Sequence, residues 1–361
     1  MPDDSDSNAQ PAVAIILVNY RGWRDTIECL ESLFRLTYQN RSVFIVDNGS
    51  MDGSLERIAK WANGNLDIVL PTNPALTKYT SPRVKKPLSY ALYSPNTFDD
   101  IFYSDPTKPP VLHLIQSVEN RGFAAGNNLA LGIASENPEY KHFWILNNDT
   151  VVEFNALTEL VNRIESEPKI DMCGSTCCYY DRPELVQARG GATYNKWFAI
   201  ARQIDMFLPV RQEINAAKIE KQMNYVAGAS MLVSRDYLDT VGFMNERYFL
   251  YFEEIDWVTR GKRKKFKIGY APKSMVYHKE GVSTGANDLA GTKTILTDFH
   301  GNRNRLLFTK QYHWYCLPTV WFALWISFVR RLFRGKWKLA LQILGILFGR
   351  SRPIPRKRHF H

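Results

Sequence analysis

Three short acidic motifs stand in a fixed order along this chain: Val46-Asp47-Asn48-Gly49-Ser50, Leu146-Asn147-Asn148-Asp149-Thr150 and Tyr251-Phe252-Glu253-Glu254-Ile255-Asp256. The first two each follow an apolar run that reads as a buried strand. Carboxylates at the carboxyl ends of parallel strands are where an open α/β sheet binds its ligand. Asp149 at such an end suits either a divalent cation, Mn²⁺ or Mg²⁺, that neutralises a diphosphate, or a cap for the helix from Asn155. Asp47 in an Asn-Gly turn serves either a nucleobase or ribose or its own Asx turn. The crowded carboxylates of the third motif raise one another's pKa, which suits one for proton transfer. Glu254 is the first choice as general base and Glu253 the close second. Asp256, one turn into the following helix, fits a dipole-complementing role. His278 lies just past another strand and is a candidate second metal ligand.

These residues need a scaffold, and hydrophobic periodicity outlines one. Val13 to Val18 and Ser42 to Val46 read as strands, each followed by a helix (Asp25 to Leu36 and Leu55 to Ala62). That is the β-α-β-α start of a doubly wound sheet. Ile68 to Leu70 reads as a third strand. The proline-rich stretch from Pro71 to Pro110 breaks the period and reads as an insertion or long loop. Strands resume at Val111 to Val118 and Phe143 to Leu146. Between them, the amide- and glycine-rich run Asn120 to Asn128 opens a helix whose backbone can approach a sugar or phosphate. Asn155 to Glu165 reads as a helix, and Asp171 to Ile219 as less regular, with strand-like and loop-like pieces. Small residues at Ala227-Gly228-Ala229 let a backbone pass close to a ligand or another chain. Short helices at Asp236 to Val241 and Ile255 to Arg263 precede two strands, Lys267 to Ala271 and Ser274 to Tyr277.

Charge is distributed unevenly. The chain has 361 residues and a net charge of +10, 45% apolar and 23% charged. From Phe299 to His361 there are 13 Lys or Arg and no acid, which leaves 33 basic against 36 acidic side chains before it. The basic residues sit in an aromatic tail instead of around a cleft. This argues against nucleic acid and for an anionic membrane surface. Trp314 to Val329, interrupted by Pro318, and Leu339 to Phe348 are each short of the ~20 apolar residues of a membrane span. They read as interfacial helices, with a helix pair packed on the core or a dimer interface as the alternative. The five cysteines show no metal-ligand spacing. With the polar Met1 to Gln10 stretch they lead us to expect a reducing, cytosolic setting.

Taken together, the motifs resemble the inverting family-2 glycosyltransferases of GT-A fold, especially the bacterial rhamnosyltransferase-like branch. The carrying residues are Ile16 to Tyr20, Val46 to Ser50, Asp52-Gly53-Ser54, Asn120 to Phe123 with Gly126-Asn127-Asn128, Leu146 to Asp149, Tyr251 to Asp256, Gly228-Ala229 and Arg303-Asn304. The resemblance covers about residues 12–310, after a disordered 1–11 and before a membrane-associating 311–361.

It implies a mixed α/β sheet with flanking helices. It places Asn19, Tyr20, Asp47, Asn120, Arg121, Gly122, Asn127, Asn147 and Asn148 on the nucleotide sugar, Asp149 and His278 on the metal, and Glu254 or Glu253 as base. The implied donor is a nucleoside-diphosphate sugar, dTDP-rhamnose first. The implied acceptor is a lipid-linked glycan of surface polysaccharide at the cytoplasmic face of a bacterial inner membrane. Self-association is left open. Two other readings are a catalytically inactive membrane scaffold and a sugar nucleotidyltransferase, although Asn19-Tyr20-Arg21-Gly22-Trp23 is a poor phosphate loop for the latter. The metal motif departs from the family pattern by opening with Asn147, and the acidic pair by being Glu-Glu.

Overall fold

The computed structural model describes residues 10–70, 73–94, 100–279 and 294–349. The chain opens with β1 (Ala12–Asn19), α1 (Trp23–Leu33), β2 (Arg41–Asn48) and α2 (Ser54–Ala62), as the periodicity predicts. β1 and β2 run parallel from Val13↔Arg41 to Asn19↔Asp47. Helices cover both faces of this part of the sheet, so its strands are continuous apolar runs.

The proline-rich stretch is not a patternless loop. It holds α3 (Thr77–Thr80), β3 (Tyr90–Tyr93) and β4 (Ile101–Tyr103). β3 adds in parallel to β5 (Leu112–Ser117), and β4 closes the edge antiparallel to β3. Ile68 to Leu70 forms no strand; Ile68 is buried in the core against the sheet.

The segment is fastened by Glu31, fully buried on α1. Its carboxylate accepts from Trp61 Nε1 at 2.8 Å, from the Val84 amide at 2.8 Å and from Lys86 Nζ at 3.3 Å. The ammonium of Lys86 also lies 3.8 Å from the Trp61 ring centre.

Next come α4 (Phe123–Ser135), β6 (Tyr140–Asn147), β7 (Thr150–Val152) and α5 (Ala156–Glu165). The stretch expected to mix strand-like and loop-like pieces opens with a ten-residue core strand, β8 (Ile170–Tyr179). It is buried on both faces among polar and small residues, so neither alternation nor a long aliphatic run marks it. After it come β9 (Val186–Arg189), β10 (Gly191–Asn195), β11 (Ile200–Gln203), α6 (Ala216–Gln222), β12 (Tyr225–Val226), β13 (Ser230–Ser234), α7 (Arg235–Val241) and α8 (Glu253–Arg263). The two strands expected next are one, β14 (Lys267–His278), whose register shifts between Ala271 and Met275 where Pro272 interrupts the ladder.

The main sheet runs β4-β3-β5-β2-β1-β6-β13-β8-β14-β7, with β9 on β8, and β11-β10-β12 form a small second sheet. It is mixed: β13 is antiparallel to β6 and to β8, while β8 and β14 are parallel. β2 and β6 flank β1, so the strand order reverses there. That opens a crevice at the carboxyl ends of β1 and β6.

The tail forms α9 (Ile295–Tyr312), α10 (Leu317–Phe333) and α11 (Trp337–Leu347). Pro318 does not interrupt α10; it occupies the first turn, where its missing N–H costs nothing. Trp314–Phe333 is long and apolar enough to cross a membrane by length and composition, although α10 and α11 both pack on α9. Buried Asp298 of α9 bolts them there, accepting from Arg331 at 2.7 and 2.8 Å and from Gln342 at 3.3 Å. All five cysteines are buried and none forms a disulfide.

Glu31→Ala strands the Trp61 and Val84 donors and is expected to cost about 2–4 kcal/mol. Lys86→Ala, which leaves the buried Glu31 carboxylate without its cation, should cost a comparable amount, about 2–4 kcal/mol. Urea midpoints at unchanged slope measure both.

Candidate active site

Asn19 sits at the end of β1 and joins two of the motifs. Its Nδ2 donates to Asp47 Oδ1 at 2.6 Å, and its Oδ1 accepts from the Gly22 amide and Thr26 hydroxyl, both at 3.1 Å. Asn148 Nδ2 donates to the same Thr26 hydroxyl at 2.9 Å, which ties in the second motif. Gln116 Nε2 and the Ser50 amide donate to the other Asp47 oxygen at 3.0 and 3.3 Å. Asn19 and Asp47 therefore lie behind the cleft lining and brace it.

Asn48 Nδ2 reaches the Gly122 carbonyl at 3.0 Å and Asn120 Oδ1 at 3.2 Å. Gly122 has φ +94°, and a Cβ there would stand 2.2 Å from the Phe249 carbonyl oxygen. Only glycine lets the start of α4 meet the loop that leads to the acidic pair. Asn127 serves its own helix, donating to the Phe123 carbonyl at 2.9 Å, and Arg121 turns outward to Glu246 at 2.7 Å.

One cleft of about 690 Å³ is lined by Tyr20, Asn48, Asn120, Gly122, Asn147, Asn148, Asp149, Glu253, Glu254 and His278. Most of the residues singled out from sequence thus face one space; Asn19, Asp47, Arg121 and Asn127 do not line it.

Asp149 and His278 meet because β7 pairs with the end of β14, with Thr150 opposite His278. His278 Nε2 lies 3.2 Å from Asp149 Oδ1 and 3.0 Å from Asn147 Nδ2. Its Nδ1 lies 2.9 Å from Gln187 Oε1, and donation there directs Nε2 at Asp149. Burial pushes the Asp149 carboxyl up, but the charge and hydrogen bond of His278, with Lys279 beyond, outweigh it and hold the group below its ordinary range. Asp149 therefore favours a cationic partner. Protonated His278 supplies one, and a divalent cation held jointly by the two side chains would supply another. Among the described residues no three His, Cys, Asp or Glu side chains form a ready cage. Such a cation would complete its shell with substrate oxygens and water.

The third motif is set by backbone. Tyr251 (φ +69°) and Phe252 (φ +79°) are consecutive residues in the left-handed region, and α8 starts immediately after them. Buried Asn304 of α9 holds this turn, its Nδ2 donating to the Leu250 and Tyr251 carbonyls at 3.0 and 2.9 Å. Glu253 is buried with Oε2 unpartnered. Burial and the adjacent Glu254 charge raise its pKa well above the ordinary value. Glu254 is half-buried in the cleft wall, and burial pushes it up to about 7. A Cβ at Gly228 would lie 2.1 Å from Glu254 Oε1, so this glycine makes the space the carboxylate occupies. Asp256 is structural, as expected. It accepts from Arg260 Nε at 2.9 Å and from Tyr312 of α9 at 2.7 Å.

Three contributors had little sequence signal. Gln187 sits inside an unremarkable strand. Asn304 was visible only as part of an Arg-Asn pair with no role attached. The α9–α10 wall of the cleft, including Asn302, Arg305 and Arg331, carried no motif.

The chain is similar to several known proteins. The hexosyltransferase Agl10 of low-salt glycan biosynthesis in Haloferax volcanii is 24% identical over 163 residues, 44% of this chain and 48% of that one. The N-acetylglucosaminyl-diphospho-decaprenol L-rhamnosyltransferase of Mycobacterium tuberculosis is 28% identical over 102 residues, 28% of this chain and 32% of that one. The matches thus span about half or less of these curated relatives. In fold, a structure of GalNAc-T7 with UDP, GalNAc and Mn²⁺ superposes with TM-score 0.50 at 12% identity, covering 82% of this chain and 48% of that one. The mannosyltransferase PcManGT from Pyrobaculum calidifontis, in complex with GDP-Man and Mn²⁺, gives TM-score 0.49 at 12% identity, covering 94% and 87%. Residues 14–75 and 96–242 match the profile described as Glycosyl transferase family 2. With more than half its length in that profile, the chain belongs to glycosyl transferase family 2.

Proposed function

We propose that this protein moves a sugar, with inversion, from a nucleoside-diphosphate donor to a hydroxyl of a lipid-linked glycan at the cytoplasmic face of a bacterial inner membrane. The observation that carries the reading is one cleft with a half-buried carboxylate, Glu254, raised to about 7, and the Asp149–His278 pair. A base poised near neutral pH is matched to abstracting a hydroxyl proton during attack. Glu253 is buried beside it, and burial with the Glu254 charge raises its carboxyl well above the ordinary value.

Glu254 takes the proton of the acceptor hydroxyl. That oxygen bonds to the sugar C1 as the C1–O bond to the diphosphate breaks, and the diphosphate leaves with the electron pair. Mn²⁺ or Mg²⁺ on Asp149 and His278 would neutralise charge on the diphosphate. Asn147 and Asn148 lie at the ribose end, with Tyr20, Asn120 and Gly122 along the nucleotide, while Asn19 and Asp47 brace the strand ends beneath it. dTDP-rhamnose is the first donor to try; the relative that transfers L-rhamnose to N-acetylglucosaminyl-diphospho-decaprenol supports rhamnose and a lipid-diphosphate acceptor. The basic apolar tail supports peripheral attachment to an anionic membrane.

Glu254→Gln should lower kcat by about 10²–10⁴-fold with little change in donor KM, and Glu253→Gln by much less. In the wild type, log(kcat/KM) should climb with pH and level off above about 7 as Glu254 loses its proton. Equal losses in both variants, or no alkaline plateau, would remove Glu254 from the role.

Gly228→Ala tests placement apart from chemistry. The added methyl meets the movable end of Glu254, so unfolding should shift by under about 1 kcal/mol. Transfer should nevertheless drop by about 10–100-fold. A variant as active as wild type would show that Glu254 need not occupy this position.

A further inference from the structure

Two stretches of this sequence are aromatic-rich and free of acids, residues 190–204 and 299–361. The fold sets them side by side. The turn between β10 and β11 carries Lys196, Trp197 and Phe198. Three of its polar groups meet the tail: Thr319 of α10 donates to the Trp197 carbonyl, Arg305 of α9 to the Phe198 carbonyl at 2.6 Å, and Lys196 Nζ lies 3.3 Å from the Tyr315 hydroxyl. The Trp197 and Tyr315 rings meet edge-on at 6.1 Å. The two aromatic side chains of the turn stay at the surface, Trp197 48% and Phe198 46% exposed.

α10 repeats the pattern. Phe322, Ile326, Val329 and Phe333 recur at i, i+4, i+7 and i+11, so they share one face, and all are exposed. Val320 and Leu324 on the opposite face are fully buried. Exposed cations frame both elements: Lys196 and Arg202 on the hairpin, Arg330 in the last turn of α10, and Arg334, Lys336 and Lys338 beyond it. An exposed aromatic surface ringed by cations, with no acid in either stretch, is complementary to an anionic bilayer.

We propose that the β10–β11 turn is a second membrane-docking element. With the outer face of α10 it seats the chain on anionic lipid and turns one side of the cleft toward the bilayer. The two elements also line the cleft, the hairpin through Ala199, Ile200 and Gln203 and the helix through Ser327 and Arg331. A hydroxyl carried on a lipid would therefore reach Glu254 between them. That alignment rests on the glycosyl-transfer reading, whereas the docking surface stands without it.

The test uses the full-length chain and phosphatidylcholine vesicles with or without phosphatidylglycerol, without donor sugar. The wild type and Glu254→Gln should bind alike, tightly only with phosphatidylglycerol and less in high salt. Trp197→Ser/Phe198→Ser should bind about tenfold or more weakly. In the wild type alone, amide exchange at residues 196–199 should slow on vesicles, which decides the matter even if the double variant folds poorly. Protection of α10 with an unaffected turn would overturn the proposal, as would undiminished binding by a folded double variant. Failure of the wild type to bind vesicles would point to a protein partner on this face. Because catalysis plays no part, none of these failures touches the transferase reading.

Discussion

The carboxamide of Asn304 holds the turn on which the acidic pair depends. Residues other than glycine in the left-handed region cost of order 1–3 kcal/mol each, and Tyr251 and Phe252 adopt it in succession. The turn persists because Asn304 takes two of its carbonyls and because Phe249, just before it, is docked on the start of α4. The result is a helix that begins with two glutamates. The positive end of the α8 dipole favours anions there, while burial works against them and dominates. Glu254, with more access to solvent, is left near neutrality, and Glu253 is raised well above its ordinary value. α9 is thereby part of the support of the acidic pair, since it supplies Asn304 and also Tyr312, which fixes Asp256 on α8.

The opposite wall follows a different logic. There the sheet does the positioning: β2 and β6 flank β1, and Asn19 ties their ends to one another through Asp47, Thr26 and Asn148. The β7–β14 pairing then brings Asp149 to His278. Each wall holds carboxylates, but their surroundings push them apart. Asp149 is held ionised by cationic neighbours, whereas Glu254 is poised to gain or lose a proton. Two acids in one cleft with separated proton affinities suit a reaction that needs a fixed negative charge on one side and a proton acceptor on the other.

Features with a local signature were legible in sequence. Apolar runs ending in Asp or Asn marked β1, β2 and β6, and the acidic cluster marked the start of α8. Features that depend on tertiary pairing were not. β8 is buried on both sides among cysteines, serines and threonines, so it has no period to read. The strands within 73–110 are short and lie between prolines, and Glu31, distant in sequence, fastens the segment. Gln187 and Asn304 act through one side chain each, on elements otherwise indistinguishable from their neighbours. Asp47 had a visible motif, and its carboxylate accepts from Asn19, Ser50 and Gln116.

The central claim is that the two walls serve one reaction, a diphosphate held at Asp149 and a hydroxyl deprotonated at Glu254. The most direct measurement is release of nucleoside diphosphate from a panel of nucleotide sugars, with bacterial lipid extract as acceptor and Mn²⁺, Mg²⁺ or EDTA. Wild type and Asp149→Ala would be run side by side. The account predicts release from one donor that requires both acceptor and divalent cation and is lost in Asp149→Ala. Release that persists in EDTA and in that variant, or a folded protein that binds none of the nucleotides, would contradict it.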